Sequence, residues 1–596
     1  MDPKELLSVC RPDFEMLLKK SGNVSATLGI HMGGRTEYLG LGTGTTTADK
    51  DTLYLLSSMT KPILAVLVAI VFFSEGLELE IPVEDIIPLS ATCNHRDGAP
   101  LRVLDLLDHR SEFFRCDRLW EGPEGSIGIQ DGCTILELYQ NLLPNRKYSK
   151  ESAFDNDRNY NNLCYAILAM IIEKITKRSW AEVLHDKIFG PLGMTRSTAN
   201  LCYREPDGNA ADSYCAGIKG QELADILRDD NANPAAVHER FLARVRNTNP
   251  VAVAQRVQPS QCSDGTCIGG GFGIRSTASD LLTFVNACNS FYSTRPDTEL
   301  TEFEAGVAVI HHHIGAMVGN PTRAYAGGWN PVFLPWDEVQ RAPGADGENY
   351  ARLQAVASLG IPGFRDKKDF WPFFQAGGSR QTPKQLALFH GGNMVGATSC
   401  VISIPTRGLT VVALCDTRNF YVDVPNLMAV MLADSLWSGR SKEEVLIHLK
   451  NLHSLSDRCI AWYMAEVGRY EEELSSNCEE LAQTWKYRQC IGKYALTEDI
   501  FLEILPNDAG NLLELRYAGY QYPLKVKRGS TSEKLTMTYA MQMEWAHKTG
   551  LGGKHWLDHE AYEITFLGDS GGGYKRLFWS FERGINEKTT FNKIAD

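Results

Sequence analysis

Residues 55–73 read LLSSMTKPILAVLVAIVFF: two adjacent serines, a lysine, a proline and then an unbroken apolar run. The stretch admits two readings. It is either a hydrophobic helix, a candidate membrane anchor, or the start of an active site with a serine nucleophile and a lysine on one helical face. The apolar run from Pro62 to Phe73 falls short of the ~20 residues a spanning helix needs, so a buried core helix is expected. Three residues separate Ser58 from Lys61, close to one helical turn, so their side chains are neighbours. Ser57 lies four residues away, and spacing alone leaves the two serines undecided. A lysine held beside a hydroxyl and away from water can accept its proton. A helix N-terminus favours the negative charge that then develops, and Pro62 is tolerated in a first turn whose N–H groups have no intrahelical partner.

The chain as a whole narrows the classes. Its 596 residues predict two or three domains. With 43% hydrophobic and 22% charged residues the composition is that of a soluble globular protein. A net charge of −13 argues against a nucleic-acid partner, which calls for a basic face. The N-terminal MDPKELLSVCRPDFEMLLKK is amphipathic and lacks the charged and apolar regions of a secretory signal. The 15 cysteines are scattered and odd in number, which favours a reducing, cytoplasmic location over a disulfide framework. In a secreted protein, Cys262 and Cys267 could bridge a loop and Asn23-Val24-Ser25 could be a glycosylation sequon.

Periodicity organises the rest. A helix to about Lys20 leads into SATLGIHMGGRTEYLGLGTG, which reads as a β-hairpin around a Gly-Gly turn. Residues from about 58 to 290 are largely helical in period. From Leu386, LALFHGGNMVGATSCVISIPTRGLTVVALCD returns to strands, with Pro-Thr-Arg-Gly as a turn. Strands at both ends of a helical region predict one sheet assembled from distant segments, an α+β arrangement. Residues 441–486 read as a charged, amphipathic helical linker. From 487 to 596 short strands with Asn/Asp/Gly turns predict a small all-β barrel or sandwich.

A second serine signature competes with Ser58. Gly568-Asp569-Ser570-Gly571-Gly572 fits G-x-S-x-G, but that elbow needs a helix after the serine. Here a glycine turn runs into a strand, so a hairpin is expected. Ser58-Met59-Thr60-Lys61, by contrast, has companions in order: Tyr160-Asn161-Asn162 opening a helix, and His390-Gly391-Gly392 in a strand. With these three elements the chain resembles the serine β-lactamase/penicillin-binding protein superfamily, in particular its class C-like esterases, D-aminopeptidases and acyltransferases. Supporting stretches are Ile188–Met194, similar to the family's IF-x-PLGM, and Gly270–Gly273 with Ser276, Thr277 and Asp280, similar to GGL-x-ST-x-x-D. Tyr325…Gly328-Trp329 is similar to YGLGW. The opening of the C-terminal domain, IGKYALTEDIFLEIL, resembles lipocalin-like β domains appended to large members.

The resemblance implies a β-lactamase/transpeptidase-like catalytic domain over 1–440, an antiparallel sheet flanked by helices beside a helical subdomain, with the cleft between them. It selects Ser58 as the nucleophile that forms an acyl-enzyme. Lys61 and Tyr160 would share general-base duty as a coupled pair, and Asn162 would orient Lys61 or the acyl amide. His390, Gly391 and Gly392 would line the substrate site, and the N–H groups of Ser58 and Asn393 would hold the oxyanion.

Several features bear on the substrate. His390 replaces the lysine common in the third motif and is a weaker anchor for a carboxylate. Leu106-Leu107-Asp108-His109-Arg110-Ser111-Glu112-Phe113 replaces LL-x-HTSGL, with Glu112 where glycine is expected. Insertions near 203–260 and 330–385 are either lids or an acyl channel, with Trp329, Trp336, Trp371 and Phe373 as candidate lining, or surface decoration. Neither His311-His312-His313 nor His555 and His559 beside Asp558 and Glu560 forms a convincing metal set, and no cofactor is expected.

The expected activity is a serine hydrolase or acyltransferase acting on an ester or thioester with a small-molecule acyl substrate, for which a secondary-metabolite acyl group, free or carrier-bound, is one candidate. A D-residue peptidase or amidase and a β-lactamase-like hydrolase are alternatives. A non-catalytic binding protein on the same fold is the alternative of another class.

Overall fold

The computed structural model describes residues 1–42, 48–88, 100–111, 160–200, 208–219, 252–256, 260, 262–293, 300–318, 325–334, 385–419 and 422–457; beyond these it describes 478–479, 484–496, 501–507, 513–517, 520–527, 530, 534–539, 551–552, 563–568, 573–579 and 589–595. Helix α1, Pro3–Ser21, starts at Asp2, whose carboxylate accepts the Glu5 N–H at 2.9 Å, and stops at Gly22, which takes φ 72°. Strands β1 (Ser25–Met32) and β2 (Arg35–Gly42) follow, joined by Gly33 and Gly34 at φ 59° and 76°. Positive φ at both turn residues matches the twist of a two-residue hairpin.

The sheet is completed more than 280 residues later, by β3 (Asn330–Leu334), β4 (Gln385–Met394), β5 (Ala397–Ile404) and β6 (Leu409–Cys415). The order is β2-β1-β6-β5-β4-β3, antiparallel throughout. The expectation of one sheet built from distant segments holds. Central strand β6 is buried along its length, and its side chains alternate between two cores. Val411, Ala413 and Cys415 join the core that holds α1, helix α6 (Val424–Ser438) and the helical segment 442–457. Val412 and Leu414 join the core on the opposite face.

That opposite face carries the helices that build the site: α2 (Thr60–Ser74), α3 (Asn162–Thr176), α4 (Ala278–Ser293) and α5 (Glu302–Val318). The Ser57–Ser74 stretch has the apolarity to cross a membrane, with a mean hydropathy of 1.8, yet 89% of it is buried inside the protein. Every α2 residue from Thr60 to Phe72 is buried, so it is a core helix. The largely helical reading of this region needs one amendment. Strands Tyr214–Lys219 and Ala252–Arg256 form a small sheet with Thr417–Asn419 and Leu551–Gly552.

The C-terminal region forms a ring of eight antiparallel strands: β7 (Gly492–Ala495), β8 (Phe501–Pro506), β9 (Leu513–Tyr517), β10 (Tyr520–Lys527), β11 (Lys534–Tyr539), β12 (Glu563–Gly568), β13 (Tyr574–Trp579) and β14 (Thr589–Ala595). Each pairs with the next in sequence, and β14 pairs with β7 to close an up-and-down barrel. Alternation fills it. In β9, Leu513, Leu515 and Tyr517 are buried while Glu514 and Arg516 are not, and Trp579, Phe591 and Tyr494 add aromatic bulk. Gly568 pairs across to Tyr574 at the end of two antiparallel strands; Asp569–Gly572, with Ser570, lie outside the described residues.

Candidate active site

The stretch from Tyr54 to Leu64 decides the site's geometry. Tyr54 and Leu55 pair with Ser276 and Arg275, Ser57–Met59 make a single 3₁₀ turn, and α2 continues without a break. Ser58 and Lys61 therefore stand one turn apart, with Lys61 Nζ 3.0 Å from Ser58 Oγ. Nζ also donates to the Gly271 carbonyl at 3.0 Å, and Lys61 has no exposed surface. Three rings surround the ammonium, with centroids at 4.2 Å for Phe272, 5.0 Å for Tyr160 and 5.7 Å for Tyr165. Ring faces compensate part of the cost of taking that charge out of water.

The two serines are separated by their surroundings. Ser58 Oγ meets Lys61, whereas Ser57 Oγ is buried with no hydrogen-bond partner among the described residues. Ser57 also holds φ 51°, a conformation that costs a non-glycine residue about 1–3 kcal/mol. Among the described residues only Ser57, His109 and Lys177 are non-glycine with positive φ, and the first two border the site.

Strand β4 passes this turn at backbone distance. A Cβ on Gly392 would stand 2.3 Å from the Leu56 carbonyl oxygen and 2.9 Å from the Ser58 nitrogen. Only glycine permits that approach, which brings Ser58 N beside the strand carrying Gly391 and the exposed Asn393. Ser399 on β5 pins the same turn, donating its hydroxyl to Leu56 O at 2.6 Å.

Asn161 caps α3 by accepting the Leu163 N–H at 3.0 Å, which leaves Asn162 as the first helical residue, buried, and Tyr160 just before it. The Tyr160 ring packs 4.3 Å from His109 and 5.8 Å from Tyr325. His390 is buried and bonded at both ring nitrogens. Nδ1 lies 2.7 Å from the Gly391 carbonyl and Nε2 lies 3.1 Å from the Tyr325 hydroxyl. A carbonyl only accepts, so Nδ1 carries the proton and Nε2 accepts from the phenol. Burial, then the charge of Lys61, pushes the imidazole down to about 3 against the opposing Gly391 bond. The ring is neutral throughout the physiological range, more firmly than a free histidine.

All eight residues singled out by the motifs are described, and contacts join Lys61 to Ser58, Tyr160 to Lys61 and His390, and Gly392 to the Ser58 backbone at the start of α2. Tyr325 and Phe272 lie in stretches that sequence reading noticed, but nothing in spacing shows the contacts with His390 and Lys61. The glycine run 269–271 also has a geometric reason, since a Cβ on Gly270 would stand 2.4 Å from Tyr165 O and 3.1 Å from Leu64. Trp329 is buried in its own turn, bonded to Ala326 in both directions. Glu112, Trp336, Trp371, Phe373, His555 and His559 lie outside the described residues, as do most residues of the two insertions. Cys262 is a buried free thiol, Cys267 is buried, and Asn23 of the sequon is buried against Cys415.

The Beta-lactamase family model matches residues 14–430, well over half of the chain, and this protein belongs to that family. Penicillin-binding protein 4 of Amycolatopsis lactamdurans is 28% identical over 161 residues, covering 26% of this chain and 38% of that protein. Among solved structures, a class C β-lactamase of Rhodobacter sphaeroides is 17% identical with a TM-score of 0.44, over 71% of this chain and 98% of its own. The octameric penicillin-binding protein homologue of Pyrococcus abyssi is 15% identical with a TM-score of 0.47, over 99% of this chain and 100% of its own.

Proposed function

We propose that the protein is a serine acyl hydrolase or acyltransferase for esters or thioesters with an uncharged acyl group. The observation that carries this is the 3.0 Å contact between Lys61 Nζ and Ser58 Oγ, with the lysine fully buried. In this reading Ser58 Oγ bonds to the acyl carbon as its proton passes to the Lys61–Tyr160 pair. The ester C–O or thioester C–S bond breaks and the leaving group takes that proton. Tyr160 then activates water, or an acceptor alcohol, to release the acyl group. The N–H groups of Ser58 and Asn393 hold the oxyanion, each worth about 3 kcal/mol, and Asn162 orients Lys61.

The substrate preference follows from His390. With the ring neutral and both nitrogens occupied, the third-motif position offers no cation to a substrate carboxylate. That favours neutral acyl groups of the secondary-metabolite type, free or carrier-bound, over penicillin-like acids, in a cytoplasmic enzyme. The test is a fluorophosphonate probe together with short-chain p-nitrophenyl esters, followed by a panel of acyl thioesters, D-alanyl peptides and β-lactams. Labelling and ester turnover by wild type are expected, with thioesters preferred to carboxylate-bearing substrates. A wild type inert to the probe and the esters overturns the reading, and faster cleavage of D-alanyl peptides replaces it with a peptidase.

A further inference from the structure

Asp108 and His109 belong to the stretch that stands in place of the family's LL-x-HTSGL, Asp108 at its variable position and His109 at its histidine. Asp108 follows the short helix Val103–Leu107 and is buried. Both of its oxygens lie 2.9 Å from His313 Nε2 on α5, and Oδ1 also accepts the Gly327 N–H at 3.1 Å. Three consecutive histidines sit on α5, but they diverge. His312 is exposed, while His311 is buried near the Phe291 ring, where desolvation pushes it down to about 4. His313 is the one that reaches Asp108.

Each bond of this pair leads to a different part of the site. Gly327 and Gly328 turn at φ 54° and 87°, and a Cβ on Gly328 would stand 2.7 Å from Pro62 Cα and 3.0 Å from Lys61 O. The turn that Asp108 holds is therefore wedged against the backbone of Lys61. Two residues before it, Tyr325 donates to His390. On the other side, His109 is held at φ 55° and accepts the Asn161 N–H on Nδ1 at 3.1 Å. Its ring lies 4.3 Å from Tyr160, 4.5 Å from Tyr325 and 5.2 Å from Tyr165. Burial first, and the Asp108 charge among lesser causes, keeps the Tyr165 and Tyr325 phenols protonated, so Tyr325 stays a donor.

We propose that the Asp108–His313 pair is the positioning element of this active site, setting Tyr160 and the Tyr325–His390 contact relative to Ser58 and Lys61. The inference rests on the acyl-enzyme reading above. Neither residue touches the reacting atoms, so the effect falls on turnover and not on substrate affinity. A displacement of ~1 Å in such groups can cost on the order of 10²-fold.

The experiment uses the full chain with Asp108→Asn, His313→Ala and His313→Gln. It measures Ser58 labelling by the fluorophosphonate, kcat and KM for a p-nitrophenyl ester, and melting temperature. Expected is a ~10–100-fold fall in labelling rate and kcat for Asp108→Asn and His313→Ala, with KM within about threefold. His313→Gln keeps an N–H donor for Asp108 and should recover to within about fivefold of wild type at the same melting temperature as His313→Ala. Wild-type rates in folded His313→Ala, or no recovery in His313→Gln, overturn the proposal. Should Asp108→Asn fail to fold, the two His313 variants decide, since that side chain lies at the edge of the core with 11% exposure. A wild type inert to the probe and the ester overturns the acyl-enzyme reading itself and this inference with it, whereas an active wild type with unaffected variants overturns this inference alone.

Discussion

Two stretches of this chain present a serine in a setting that resembles a nucleophile motif, and the element that follows each one separates them. After Ser58 the chain enters helix α2 at once, which places Lys61 under the hydroxyl and buries it among three rings. After Gly568 it returns as an antiparallel barrel strand, with Gly568 paired to Tyr574. A helix stacks residues three apart on one face, whereas a hairpin sends its two arms along a sheet. A short motif thus has chemical meaning only with the backbone that continues it.

The largest expected effect tests that contrast directly. Ser58→Ala should abolish fluorophosphonate labelling, while Ser570→Ala and Ser57→Ala leave it in place; labelling retained in Ser58→Ala would break the comparison outright. Next comes Gly392→Ala, whose new methyl must displace the Leu56 carbonyl or the strand beside Ser58. Its labelling rate should fall on the order of 10²-fold at an unchanged KM for a p-nitrophenyl ester.

The barrel supplies the complementary case. Trp579 is fully buried and packs 5.3 Å from Tyr517 and 6.0 Å from Phe591. Trp579→Ala should lower stability by about 3–5 kcal/mol in calorimetry, yet change the labelling rate less than threefold below the transition. A larger loss of labelling would show that the barrel shapes the site. The smallest effect is an absence of change. Nitrogen NMR of His390 should show a proton fixed on Nδ1 with no titration between pH 5 and 8, since burial and Lys61 hold the imidazole down at about 3. A midpoint near 6.5 would restore a cation to the third motif and weaken the case for uncharged substrates.

What could be read in advance has a common physical character. Ser58 and Lys61 are neighbours because of helical pitch, and the Gly33–Gly34 hairpin follows from turn chemistry; both are local. The recurrence of strands at the two ends of a helical region was enough to expect a sheet closed by distant segments. Barrel closure was less accessible, because the pairing of Gly492–Ala495 with Thr589–Ala595 leaves no periodic trace in either strand. The choice between Ser57 and Ser58 needed either the family register or the structure, since both lie within reach of Lys61 along a helix.

By itself, then, the sequence determined the local elements, the class of fold and the residues that carry the motifs, because these depend on spacing and burial patterns within short windows. Tertiary structure alone decided the neutral, doubly bonded state of His390 and the approach of Gly392 to Ser58. It also decided the bond between Asp108 and His313 across 205 residues. Such features depend on desolvation and on distances between segments that meet only after folding, as Tyr325 with His390, Leu56 with Gly392 and Asp108 with His313 do.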